Sequence, residues 1–206
     1  MIGDEGMDRD TRHRIVKAVA EAVIAEADAL TALDQAIGDG DHGLNMRRGF
    51  EAVLADLPQL AEKPLPELAK ALGMTLLMKV GGASGPLYGT LLMEFAKAVP
   101  PQPGRDEAVA AFGRAVEAVK ARGKSEPGQK TMLDVLVPVH AALVEGAGPA
   151  RVREVAAAAA EATVPMRAIR GRASFLGERS IGHMDPGARS SALMLSALAD
   201  AMESGR

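Results

Sequence analysis

The segment Asp34-Gln35-Ala36-Ile37-Gly38-Asp39-Gly40-Asp41-His42-Gly43-Leu44-Asn45 packs three carboxylates into eight residues, interleaved with glycines. Like charges this close repel, so a simple connector gains nothing from them. A hard divalent cation reverses the sign of that energy. Asp39 and Asp41 are two apart, a spacing that diverges on a helix. In a turn loosened by Gly38, Gly40 and Gly43, both can converge on one centre. Asp34 enters from the end of the preceding helix. An oxygen-only ligand set suits magnesium, manganese or calcium and argues against zinc.

Three formal motif matches fail on physical grounds. Gly38 to Gly43 satisfies G-x-G-x-x-G, but no strand precedes it, and two aspartates stand where a pyrophosphate should lie. The EF-hand pattern puts Gly43 and Leu44 where a ligand and the turn glycine belong, and Phe50 where a bidentate glutamate belongs. Gly123-Lys124-Ser125 echoes a P-loop, but Ala118 replaces its first glycine.

The elements that must position this loop read as helices. Hydrophobic residues make up 48% of the 206 residues and aromatics only 2%, so the core is built from Ala, Leu, Val and Met. That composition favours packed helices over a sheet. Apolar spacing predicts helices over about 11–33, 43–57, 66–80, 87–98, 106–121, 131–145, 150–170 with a bend at Pro165, and 188–202. The expectation is an all-α, single domain over residues 1–206, an up-and-down antiparallel barrel or bundle of roughly eight helices. Four distinctive loops follow alternate helices: Asp34–Asn45, Gly81–Pro86, Gly123–Thr131 and Gly171–Gly187. Alternate connections of such a bundle lie at one end, so the four loops are expected to share one rim.

Other bulk properties exclude partners. Net charge is −3, which gives no reason to expect nucleic acid. No apolar run reaches membrane-spanning length. There is no cysteine, hence no disulfide framework or thiol chemistry. The first 14 residues carry Asp4, Glu5, Asp8, Arg9, Asp10, Arg12 and Arg14, unlike a secretory signal. The resulting expectation is a cytoplasmic protein.

The rim has the equipment for phosphoryl chemistry. A nucleoside diphosphate brings about three negative charges and the loop three more, so two divalent ions leave about −2 for helix dipoles and basic groups. The Gly81–Ser84 amides and the Ser84 hydroxyl could hold phosphate oxygens at the start of a helix, with Ser84 as its N-cap. Asn45 could add an amide contact. Bland roles compete with each of these. Gly81-Gly82 alone is a common helix stop, and His42 could simply bond a carboxylate. Thr131 and Asp134 fit a capping box. Met132 reads as packing, or as a soft face for a purine. Arg172 and Arg179 belong to a basic run but fall inside a special loop, where phosphate or partner contact competes with solvation.

The runs Asp34…Ile37-Gly38-Asp39-Gly40-Asp41-His42-Gly43…Asn45-Met46…Arg48-Gly49, Gly81-Gly82-Ala83-Ser84-Gly85-Pro86-Leu87-Tyr88-Gly89 and Gly171-Arg172-Ala173-Ser174…Leu176-Gly177-Glu178-Arg179-Ser180…Gly182-His183…Asp185-Pro186-Gly187 resemble the nucleotide-binding L subunit of dihydroxyacetone kinase. The resemblance covers about residues 12–203. It implies an eight-helix barrel with ADP or ATP and two magnesium ions at one end. It implies that Asp34, Asp39 and Asp41 hold the ions. It also implies that His42, Gly43, Leu44, Asn45, Ala83, Ser84, Gly123, Thr131 or Met132, Asp185, Pro186 and Gly187 line the nucleotide, with Gly128 as the other glycine that fits the third loop. The partners implied are a dihydroxyacetone-binding K subunit and a phosphohistidine protein of the phosphotransferase system, which rephosphorylates ADP in place. The competing readings are an ATP-dependent kinase subunit for a related ketose or triose, and a regulatory protein whose nucleotide state is read by a transcription factor.

Overall fold

The structure, a computed structural model, describes residues 7–204. Part of the charged N-terminal segment, Asp4 and Glu5 included, lies outside those residues. Nine α-helices and one 3-10 segment account for the regular structure among the described residues, and they contain no strand. The helices are α1 (Arg9–Ala25), α2 (Ala27–Ile37), α3 (His42–Leu60), α4 (Leu65–Lys79), α5 (Ser84–Ala98), α6 (Arg105–Gly123), α7 (Leu133–Val144), α8 (Pro149–Glu161) and α9 (Pro186–Glu203). The 3-10 segment is Arg172–Ser180. No helix among the described residues is long and apolar enough to cross a membrane.

Eight helices close a ring. Counting from α1, the packed neighbours are α3, α4, α5, α6, α7, α8 and α9, and α9 returns to α1. The all-helical expectation holds, and α2 is the ninth helix that periodicity missed. The apolar spacing runs on from α1 into α2, but Glu26 leaves helical geometry (φ −95°, ψ 6°) and kinks the chain. The kink turns α2 away from the ring path of α1 and toward α3, α9 and the 3-10 segment.

The buried core is mostly aliphatic. Val23, Met46, Phe50, Val53, Leu76, Val116 and Leu133 meet in one cluster. A second cluster joins α7, α8 and α9 through Val135, Val139, Ala156, Ala160, Ala188 and Ala192. Complete burial of a single side chain such as Leu30 or Leu136 contributes about 1.5–3 kcal/mol. That gain explains why α3 runs past Pro58 to Leu60: the proline removes one helical bond, while Leu57 and Leu60 are both buried.

Two boundaries differ from expectation in ways that matter for the rim. Helix α8 ends at Glu161, well short of Arg170. Thr163 is fully buried, and its hydroxyl donates back to the Ala160 carbonyl at 2.6 Å while accepting the Asp185 amide at 3.0 Å. The chain therefore leaves the helix before Pro165 and enters a long irregular segment. The other boundary concerns Ser84, which was expected as the N-cap of α5. The cap residue is Ala83, and Ser84 is the first helical residue.

Candidate functional site

The aspartate loop folds around Asp34. This side chain sits in the last turn of α2, is buried, and accepts the amides of Asp41 (2.9 Å) and His42 (3.1 Å) on Oδ2. Those two bonds draw the loop back onto the helix end. A side-chain carbon at Gly38 would sit 1.9 Å from Asp34 Oδ1, so only glycine leaves room for that oxygen. Asp34, Asp39 and Asp41 each bring an oxygen within 4.8 Å of the others. Oxygens on opposite sides of a hard cation stand about 4–5 Å apart, so the donor set fits such an ion. Arg172 Nη1 bonds Asp39 Oδ2 at 2.8 Å and sets one positive charge against the triad.

His42 does not bond a carboxylate through its ring. Nδ1 meets the Ser84 hydroxyl at 3.0 Å and Nε2 meets the Ser190 hydroxyl at 3.0 Å. Burial holds the imidazole below its ordinary pKa, against the pull of Asp34 and Asp41. The ring is thus neutral at pH 7, with one nitrogen donating and the other accepting. This contact also explains the fate of Ser84: a buried ring nitrogen takes the hydroxyl that a cap would have used. Below Ser190 the chain of hydroxyls continues to Tyr88, 2.7 Å from Ser190 and 2.9 Å from Ser191. Burial pushes the Tyr88 phenol up to about 12, so it remains a hydroxyl. Ser190 and Ser191 lie outside the sequence motifs, and Tyr88 falls within the second one without an assigned role. The available signals were that Tyr88 is the only tyrosine and follows the second glycine loop, and that Ser190 lies one turn beyond Gly187.

The remaining loops complete the walls. Asn45 Oδ1 accepts from Arg48 Nη2 at 2.7 Å, which turns its amide nitrogen toward Gly82. Asp134 accepts the Thr131 amide at 2.7 Å, the capping role expected of it, and it also takes the Gly128 amide. The Thr131 hydroxyl accepts from Leu133 rather than Asp134, so only half of the capping box forms. Asp185 caps α9 by accepting the Ala188 amide at 2.7 Å. Burial pushes its carboxyl up to about 7; the nearby Asp134 and Asp34 add to this, while the Ala188 amide and Lys130 oppose it.

All four loops meet at one cavity of about 340 Å³. The first contributes Asp34, Asp39, Asp41, His42 and Asn45, and the second Gly81, Gly82, Ala83 and Ser84. The third contributes Gly123, Thr131 and Met132, and the fourth Arg172, Asp185, Pro186 and Gly187. Gly128 stays outside. Two expected residues face elsewhere. Leu44 is 55% exposed on the outer surface. Gly43 lies against α2, where a side-chain carbon would stand 1.8 Å from the Ala27 carbonyl oxygen, so it serves the α2–α3 contact. Arg122 and Arg170 line the cavity in addition to Arg172. A more open groove of about 500 Å³ adjoins it past Ser125 and Arg170. There Lys120 is paired with Glu117 and Glu126, so the cavity lined by all four loops is the candidate site.

Known proteins resemble this chain in sequence and in fold. A family described as the DAK2 domain matches residues 36–200. The chain is 46% identical over 184 residues to the PEP-dependent dihydroxyacetone kinase, ADP-binding subunit DhaL, of Escherichia coli, covering 84% of this chain and 88% of that protein. It is 44% identical over 192 residues to the corresponding subunit of the PEP-dependent dihydroxyacetone kinase 1 of Listeria innocua, covering 93% and 96%. Among solved structures, it superposes on the dihydroxyacetone kinase from C. freundii in complex with AMP-PNP and Mg2+ with a TM-score of 0.78 and 26% identity. That match covers 97% of this chain but only 35% of the longer kinase.

Proposed function

The chain belongs to the DAK2 domain family, and from that premise we propose that it is the ADP-binding subunit of a phosphoenolpyruvate-dependent dihydroxyacetone kinase. The observation that carries this reading is the meeting of the Asp34, Asp39 and Asp41 oxygens with the start of α5 across one cavity. In this reading residues 1–206 form one nucleotide-binding unit working in the cytoplasm.

Asp34, Asp39 and Asp41 would hold magnesium, as two ions if the chain follows the family it resembles. Bound there, magnesium supplies neutralisation of the phosphoryl oxygens during transfer. The protein's own groups do the positioning. Amides at the start of α5 and the Ser84 hydroxyl receive phosphate oxygens. His42 fixes the Ser84 rotamer from below through Nδ1, and Tyr88 and Ser190 fix His42 in turn. Asn45 adds an amide donor. Arg122, Arg170 and Arg172 meet the charge that the ions leave over. Met132 and the Asp185-Pro186-Gly187 turn form an opposing wall for the rest of the nucleotide. The acceptor hydroxyl comes from dihydroxyacetone on a separate substrate-binding subunit, and a phosphohistidine protein renews the nucleotide in place.

Native mass spectrometry tests this directly. The expected result is a chain carrying ADP and magnesium through desalting and losing both to a chelator. A protein that arrives empty and takes up no ADP with magnesium removes the proposal.

A further inference from the structure

The largest fully buried side chain among the described residues is a lysine. Lys130 is 1% exposed, and its backbone adopts a left-handed conformation with φ 63°. Such a conformation is uncommon for a residue with a side chain, and an ammonium is costly to take out of water. Both costs are met by what the ammonium touches. Nζ donates to the Ser180 carbonyl at 2.6 Å, to Met166 at 3.0 Å and to Val164 at 3.5 Å. Burial pulls the amine below the ordinary lysine range, with Asp185 acting against it.

The three carbonyls come from opposite arms of the irregular segment 162–185 between α8 and α9, which contains most of the fourth loop. Val164 and Met166 lie on the arm leaving α8, and Ser180 on the arm that returns toward α9. Between the arms lie Arg170 and Arg172, which line the cavity, and Arg172 reaches Asp39. The arms share little regular backbone pairing. Gly182 bonds the Val164 carbonyl, and the Ser180 hydroxyl accepts the Ala168 amide. The lysine thus stands where a helix or sheet ladder would normally satisfy main-chain oxygens. An apolar side chain of similar length could fill the volume but would leave those oxygens without this donor.

We propose that Lys130 is a positioning residue: by clamping the two arms of this segment, it holds Arg172 against Asp39 of the aspartate triad and Arg170 in the cavity wall, and so sets the affinity for a nucleoside diphosphate. This rests on the nucleotide reading above. Removing the groups that orient metal ligands typically costs about 10- to 100-fold in metal affinity or activity, and a loss of that order in ADP affinity is the one expected for Lys130→Met.

The test uses the full chain with Lys130→Met and Lys130→Gln, well below their melting temperatures. ADP binding with magnesium is measured by calorimetry, Mn2+ binding without nucleotide by electron paramagnetic resonance, and amide exchange by mass spectrometry. For Lys130→Met the inference requires weaker ADP binding, undiminished Mn2+ binding, and faster exchange confined to residues 162–185. Lys130→Gln keeps a neutral donor and should fall between Met and wild type; it also carries the test if the Met variant does not fold. ADP affinity within twofold of wild type overturns the inference, as does an equal loss of ADP and Mn2+ binding, which marks general destabilisation. A wild-type chain that binds Mn2+ but no ADP overturns the nucleotide reading instead, and the exchange pattern then decides the clamp alone.

Discussion

The aspartate loop and the fourth loop line the same cavity but are built by different means. The first is assembled within a dozen residues: Asp34 accepts the amides of Asp41 and His42, and Gly38 clears the space its second oxygen needs. The fourth is assembled from a distance. Its arms are held by Lys130, and its return to α9 passes through the Thr163 hydroxyl and the Asp185 amide. A site can therefore pair a wall encoded by local spacing with a wall that exists only once the helices have packed. Arg172 joins the two walls through its bond to Asp39.

The largest expected effect would break the comparison at its local side. Asp39→Ala should abolish magnesium-dependent ADP binding, a loss beyond the roughly 100-fold upper range for outer contacts, with helical circular dichroism unchanged. Unfolding of this variant would mean that the aspartate loop is structural and that the two walls do not differ in kind.

A smaller effect sharpens the comparison at the distant wall. The carboxyl of Asp185 is raised to about 7 by burial, so between the ordinary aspartate value and about pH 7 the folded state retains a proton that the unfolded chain has released. The associated stability is full below the ordinary aspartate value and is lost as pH rises through about 7. In chelator, wild type should therefore gain melting temperature relative to Asp185→Asn as pH falls from 8 toward 5. Parallel melting curves across that range would show that packing has not desolvated Asp185.

The smallest effect concerns the bridge. Arg172 and Asp39 are both partly exposed, and ion pairs of this kind contribute about 0.2–1 kcal/mol. Arg172→Gln should strengthen Mn2+ binding to the nucleotide-free protein by up to about fivefold, because a competing cation is gone. The same variant should weaken ADP binding in the presence of magnesium. Changes of the same sign for both ligands would remove Arg172 from the role of connecting the walls.

Much of the architecture was legible because it depends on short-range pattern. Helical spacing located the ring helices, and the alternation of ordinary and glycine-rich connections placed four loops at one rim. The kink at Glu26 was invisible, since the apolar period continues through it into α2. The end of α8 was hidden by an alanine-rich run that favours helix up to Pro165, whereas a buried Thr163 hydroxyl stops it earlier. Ser84 has the sequence signature of a cap, but its partner is His42, 42 residues away, which local spacing does not reveal.

The sequence alone determined that three carboxylates share one turn and that the chain is helical, because both follow from neighbours a few residues apart, and it placed the glycine loops at one rim because they follow alternate helices. Only the tertiary structure decided that His42 reads hydroxyls, that Gly43 packs helices, and that a buried lysine gathers the fourth loop. Those outcomes depend on which polar groups lose water together when distant helices close, and local spacing carries no record of that.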